Sequence, residues 1–190
     1  MNFATPEWIP FGVESDERYR LIGRASVFSM VRLLFTILHY TASTSVKNIQ
    51  LLKYTKAILD EELTARPRLV SIGIRSVSHI IKMPSNSFEI VDKVAMDYDD
   101  RRICCVCKCV CVFSAIACEC NNSRVACTRH EQYMCKCAKT KKFLLEWASD
   151  DELKVLKSKI DSLARYKAYT REKQEQLQSS TTTSTDVGLP

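Results

Sequence analysis

Apolar positions along this chain change period several times, and each change marks an element. Residues 27–40, VFSMVRLLFTILHY, are the most apolar run; Arg32 and His39 interrupt it and it falls short of the roughly 20 apolar residues of a membrane span, so it predicts a buried core helix. Residues 46–66 place Ile49, Leu52, Leu59 and Leu63 near one helical face, and Pro67 is expected to stop that helix. Residues 68–83 are ambiguous: Leu69, Val77, Ile80 and Ile81 suit a helix, whereas β-branched content and Gly73 suit a strand, and Pro84-Ser85-Asn86 ends either one. Ahead of these, residues 1–26 hold Pro6, Trp8, Pro10, Phe11, Gly12 and Tyr19 and read as an extended segment entering a helix near Glu14. Near the other end, Ser149 and Glu152 form a capping-box pattern, with Asp150 and Asp151 suited to the positive end of a helix dipole. Leu153, Leu156, Ile160 and Leu163 follow in steps of three, four and three, predicting one amphipathic helix to about Gln178, too short a pattern for a coiled coil. The Ser/Thr-rich stretch from Ser179 predicts a disordered tail.

Hydrophobic content of 46% is enough to build a core, and four glycines and five prolines in 190 residues are too few for the turns of an all-β sandwich. The expected fold is therefore mainly α. The first residues, MNFATPEWIP, lack the basic start of a signal peptide, which points to a reducing compartment, where clustered cysteines are metal ligands more often than disulfides.

All ten cysteines fall between Cys104 and Cys137, and most sort into short-spaced pairs: Cys104-x-x-Cys107, Cys118-x-Cys120, Cys127-x-x-His130 and Cys135-x-Cys137. Such pairs supply two ligands from one turn of backbone, and four pairs make eight ligands, enough for two tetrahedral zinc ions. A disulfide framework would not explain a histidine at knuckle spacing after Cys127. A soft-metal buffer would not explain Phe113, Ile116, Val125, Tyr133 and Met134, which look like a small core. Spacing leaves open whether the pairs serve the two ions sequentially or interleaved. Cys105, Cys109 and Cys111 remain over and are expected to be buried, inert thiols.

Asp99-Asp100-Arg101-Arg102, then Cys104-x-x-Cys107-x-x-x-Cys111, Phe113-Ser114-Ala115-Ile116, and the remaining pairs resemble the C5HC2-type zinc finger of the JARID subfamily of JmjC histone demethylases, which act on trimethylated lysine 4 of histone H3. NFATPEWIPFG, Tyr19-Arg20, Arg24 and Val27-Phe28-Ser29 look like the segment that follows the JmjC domain there. The resemblance is close over residues 2–29 and 99–153 and weak over 30–98. It implies an interleaved, cross-brace arrangement, with Cys104, Cys107, Cys127 and His130 as one site and Cys118, Cys120, Cys135 and Cys137 as the other. Cys111 matches a family cysteine left without a ligand role; Cys105 and Cys109 match nothing in the family pattern. The implied organisation is a segment following the JmjC domain (1–29), a helical region (30–98), the zinc finger (99–147), an amphipathic helix (148–178) and a tail (179–190).

Family enzymes hold Fe(II) with a His-x-Asp/Glu pair and a distant histidine, and use 2-oxoglutarate. Here the residues two after His39, His79 and His130 are Thr41, Ile81 and Gln132, so that iron site needs a JmjC domain supplied upstream. Four protein ligands per zinc leave no open position for catalysis. The expectation is thus a non-catalytic chain, a fragment or truncated relative, that is nuclear by resemblance and acts by interaction. Its partners would be chromatin or histone-associated proteins, or a JmjC catalytic domain. The formal charge of +6 falls to about +3 once zinc-bound thiolates are counted. Arg101, Arg102, Lys108, Arg124, Arg129, Lys136, Lys139, Lys141 and Lys142 either neutralise the zinc centres or face phosphate; no motif supports sequence-specific DNA binding.

Overall fold

A computed structural model describes residues 7–40, 49–77 and 102–182. Helix α1 spans Trp8–Leu21, α2 Met30–Tyr40, α3 Ile49–Ser71, α4 Glu131–Met134 and α5 Asp150–Thr182; strands are β1 Arg75–Val77, β2 Ser114–Cys118, β3 Asn121–Ala126 and β4 Lys142–Glu146. Most described residues are helical, beside a four-stranded sheet of order β1-β4-β2-β3, in which β1 is parallel to β4 and the other neighbours are antiparallel. Among the described residues no helix is long and apolar enough to cross a membrane.

Helix α1 begins at Trp8 rather than near Glu14, because Pro10 falls within its first turn, where a missing N–H has no intrahelical partner to lose. The helix ends in a Schellman turn: Gly23 at φ +64° donates to Arg20 O and Arg24 to Tyr19 O. Helix α2 starts three residues later than the apolar run suggests. Ser29 accepts from the Arg32 amide through its Oγ, Asp16 accepts from the Met30 amide, and Val27 is left exposed. Met30, Leu34 and Leu38 then share the buried face.

Helix α3 continues through Pro67 to Ser71, correcting the predicted stop. Proline removes one backbone hydrogen bond. The residues around it are anchored all the same: Arg66 is buried on one side, and Leu69 inserts fully into the core of the cysteine-rich half on the other. The Schellman bonds Gly73 to Val70 O and Ile74 to Leu69 O close the helix, with Gly73 at φ +97°. The ambiguous segment is therefore helix end, turn and edge strand in succession; its part beyond Val77 lies outside the described residues, as do Arg101 and residues 1–6. Helix α5 opens with the reciprocal capping box, Ser149 N to Glu152 Oε2 at 2.7 Å and Glu152 N to Ser149 Oγ at 3.2 Å. It runs to Thr182, so residues 179–182 of the expected tail are helical.

Two cores result. One is helical and gathers Leu34, Leu38, Leu52 and Leu59 with Leu153, Ile160 and Leu163 of α5. Lys56 pairs with Asp161, Lys157 with Asp60 and Arg66 with Asp150, an order that makes α3 and α5 antiparallel. The other core lies in the cysteine-rich half, where Ile116, Leu144 and Leu145 meet Leu69 and Ile74 from the end of α3. Tyr133 is exposed, while Ile116, Val125 and Met134 are buried; Phe113 turns to the helical core and meets Phe35 edge-on at 4.8 Å.

Candidate metal centre

The chain from Ile103 to Val110 folds back on itself through a bridge between those two residues. Lys108 occupies the left-handed region at φ +61° and donates its amide to Cys104 O, which turns the backbone sharply after Cys107. Cys104 also bridges to Val125, and the Cys105 amide donates to Val125 O. Since Val125 and Ala126 end β3, this contact delivers the turn from Cys127 to His130 to the first knuckle. There Cys127 and His130 form a tight turn, His130 N to Cys127 O at 2.9 Å. The result is a cluster of Cys104, Cys107, Cys127 and His130, whose donor atoms all lie within 4.8 Å of one another. Its edges include Cys127 Sγ to His130 Nδ1 at 3.2 Å, Cys104 Sγ to His130 Nδ1 at 3.8 Å and Cys107 Sγ to Cys127 Sγ at 3.9 Å. A tetrahedron built on zinc–sulfur bonds of about 2.3 Å has an edge of about 3.8 Å, so three thiolates and an imidazole fit that ion here.

The second cluster holds Cys118, Cys120, Cys135 and Cys137 within the same limit. Cys118 ends β2 opposite Lys142 of β4, and the turn into β3 carries Cys120. Cys135 and Cys137 follow α4 in the segment that leads into β4, which is tied to the end of β2 by the Glu119 amide donating to Lys141 O. Sheet pairing thus gathers pair one with pair three and pair two with pair four, a choice that spacing left open. The set is four sulfurs, soft donors suited to zinc.

None of the ten cysteines is in a disulfide. Cys109 is buried and its Sγ lies 3.7 Å from Cys107 O; Cys105 is half-buried. Cys111 is buried, its thiol pushed well up by loss of solvent and by the neighbouring Cys104 and Cys107 sulfurs. Hydrogen bonds from Cys104, Cys109 and Cys127 pull the Cys107 thiol down.

Four of the basic residues, Arg102, Arg129, Lys139 and Lys142, meet partners on other elements. Lys142 is almost fully buried and donates to Glu131 O at 2.6 Å and Glu131 Oε2 at 3.3 Å, while Lys139 takes the other carboxylate oxygen. Arg102 stacks on Trp147 at 4.2 Å, and burial, with Arg32 nearby, lowers it to about 10. Arg129 engages Glu61 and Glu17, and hydrogen bonding to Glu61 raises it. Arg124, Lys136 and Lys141 are exposed.

One buried constellation escaped sequence reasoning. Arg66 donates to Glu62 at 3.0 Å, to Asp150 and Ala148 O at 2.8 Å and to Phe113 O at 3.3 Å, tying α3 to the start of α5 and to the entry of β2. The available signal was Glu62 four residues before Arg66, a helical ion-pair spacing with an apolar neighbour on each side of the same face.

Comparison with known proteins agrees with this geometry. The C5HC2 zinc finger family matches residues 104–156. The chain is 33% identical over 141 residues to Lysine-specific demethylase JMJ17 of Arabidopsis thaliana, covering 74% of this chain and 11% of that protein. It is 28% identical over 138 residues to Lysine-specific demethylase 5B of Gallus gallus, covering 72% of this chain and 8% of the relative. It is 27% identical over 161 residues to Lysine-specific demethylase 5D of Homo sapiens, covering 84% and 10%. The chain thus spans about a tenth of the length of the curated relatives it matches.

Proposed function

We propose that this homologue of the lysine-specific demethylases, whose residues 104–156 match the C5HC2 zinc finger, holds two structural zinc ions in an interleaved cross-brace and acts by interaction rather than catalysis. The observation that carries the reading is the pair of four-donor clusters. The ligands are Cys104, Cys107, Cys127 and His130 for one ion, and Cys118, Cys120, Cys135 and Cys137 for the other. Each set fills a tetrahedral shell with protein atoms, which suits a folding role, of order 10–16 kcal/mol of binding free energy per ion at neutral pH. The protein works in chromatin regulation in the nucleus, as the zinc-bearing support of a histone lysine demethylase, with histone-associated proteins or a JmjC catalytic domain as partner.

A second reading rests on the small share of each relative that the chain covers: it serves inside a longer Fe(II)- and 2-oxoglutarate-dependent demethylase. Its own residues do not fit the iron. None of its three histidines is followed two residues later by a carboxylate, and His130 is held against thiols, so the iron ligands would come from elsewhere. Metal analysis of the purified chain tests the zinc reading, with two zinc per polypeptide expected; one zinc or none in a folded sample overturns it. Transcripts that continue upstream into a His-x-Glu-bearing domain decide for the second reading.

A further inference from the structure

Helix α1 touches both knuckles of the first cluster. Gly23, in the turn that closes the helix, sits so close to the first knuckle that a Cβ there would lie 3.4 Å from Val106 O. Six residues earlier, Glu17 accepts from Arg129 at 3.3 Å, and Arg129 lies within the second knuckle, between Cys127 and His130. Between these two contacts Arg20 points into a cavity of about 170 Å³ whose wall includes Cys111, Cys127 and Arg129. Its side chain is only 19% exposed, with Glu17 at 3.1 Å as its carboxylate partner. Burial alone would lower the basicity of that guanidinium, yet it is raised, with the sulfurs of Cys109, Cys107 and Cys127 acting on it. Three thiolates around a dication leave a net negative centre, and a cation held at its edge offsets that charge.

We propose that α1 forms a third wall of the first metal site, with Arg20 as a positioning residue that supplies counter-charge to its thiolates, so that metal binding there and docking of α1 are one linked event. The inference rests on the zinc reading above. It goes beyond that reading by giving a role to a residue 84 or more positions before any ligand. Loss of metal would release α1, and with it the exposed Trp8 and Phe11 that the helix carries.

The test uses the full chain and cobalt(II), which reports a three-thiolate, one-imidazole site separately from a four-thiolate site. In Arg20→Gln the affinity of the mixed site should fall by about 10- to 100-fold, with the four-thiolate site unchanged. Arg20→Lys should recover part of the loss, and Arg24→Gln, an exposed residue, should show none. Equal affinities in Arg20→Gln and wild type, or equal losses at both sites, overturn the proposal. A second measurement needs no variant: as a chelator strips wild-type protein, hydrogen exchange of the α1 amides should accelerate in step with loss of the mixed-site spectrum. Protection of α1 that outlasts that spectrum, or that vanishes while it persists, also overturns the proposal. Absence of a mixed-site spectrum in wild type would instead refute the zinc reading itself.

Discussion

Replacing Arg66 with methionine keeps most of the side-chain volume and removes the guanidinium. Four acceptors then lose a donor: Glu62, Asp150, Ala148 O and Phe113 O. They are not equally harmed. The Asp150 side chain is 46% exposed and rehydrates, whereas Glu62 is 12% exposed and stays in place beside Ser114, whose hydroxyl donates to it. An uncompensated buried carboxylate after loss of its partner costs about 3–5 kcal/mol, and each stranded carbonyl about 1 kcal/mol or more. Discounting for relaxation and for the methionine's own burial, the loss should be about 3 kcal/mol. With a urea m-value of about 2 kcal/mol/M, the midpoint of zinc-saturated protein should drop by about 1.5 M. Adding Glu62→Gln to Arg66→Met removes the stranded charge, keeps a group that Ser114 can bond, and should restore at least about 1 kcal/mol; a double-mutant cycle measures that coupling. A midpoint shift below about 0.5 M for Arg66→Met, or strict additivity of the two changes, would refute the argument that this ion pair is desolvated and shared between the two cores. Zinc content should stay at two per chain throughout, since no metal ligand is touched.

Further outcomes follow from the same geometry. Cys120→Ser should leave at most one zinc per chain by mass spectrometry under non-denaturing conditions, while Cys105→Ser should retain both; equal effects would put the ligand register in error. Lys142→Met should destabilise by about 3 kcal/mol in urea titration, because Glu131 keeps its charge in a nearly buried position and Lys139 reaches only one of its oxygens. Chelation at neutral pH should erase the sheet signal in circular dichroism, and re-added zinc should restore it, because ligand binding and folding of so small a core are coupled. Replacing Gly73 with alanine should cost about 1 kcal/mol or more in thermal unfolding, since the Schellman turn holds that residue at φ +97°, with neighbours that leave room for the Cβ; strain at the backbone, not crowding, is what the substitution introduces.

Local chemistry was legible without coordinates wherever a motif is self-contained. The capping box at Ser149 needs only two residues three apart. The buried stripe of Leu153, Ile160 and Leu163 needs only helical period. The pairing of cysteines at one- and two-residue spacing marks the candidate metal donors, because each pair is made by a single turn of backbone. Start and stop signals were less secure where local preference and packing disagree. Proline at 67 argues for a stop, yet the burial of Arg66 and Leu69 on either side carries α3 onward. Proline at 10 was read as a mark of extended chain, when its place in a first turn makes it harmless.

Tertiary structure alone decided three matters. It brought Cys104 to Cys127 across the bridge to Val125, and Cys118 to Cys135 where the end of β2 meets the segment leading into β4, because strand register, not spacing along the chain, sets which knuckles meet. It set Arg102, Arg129, Lys139 and Lys142 against Trp147, Glu61, Glu17 and Glu131, because each faces a partner on another element. And it placed β1 from the end of α3 beside β4, with Leu69 and Ile74 in the core beneath, so that the helical part and the cysteine-rich part share a sheet and an ion-pair network. The sequence alone determined which atoms can bind metal; the fold determined which of them come together and what stands around them, since those contacts join residues tens of positions apart.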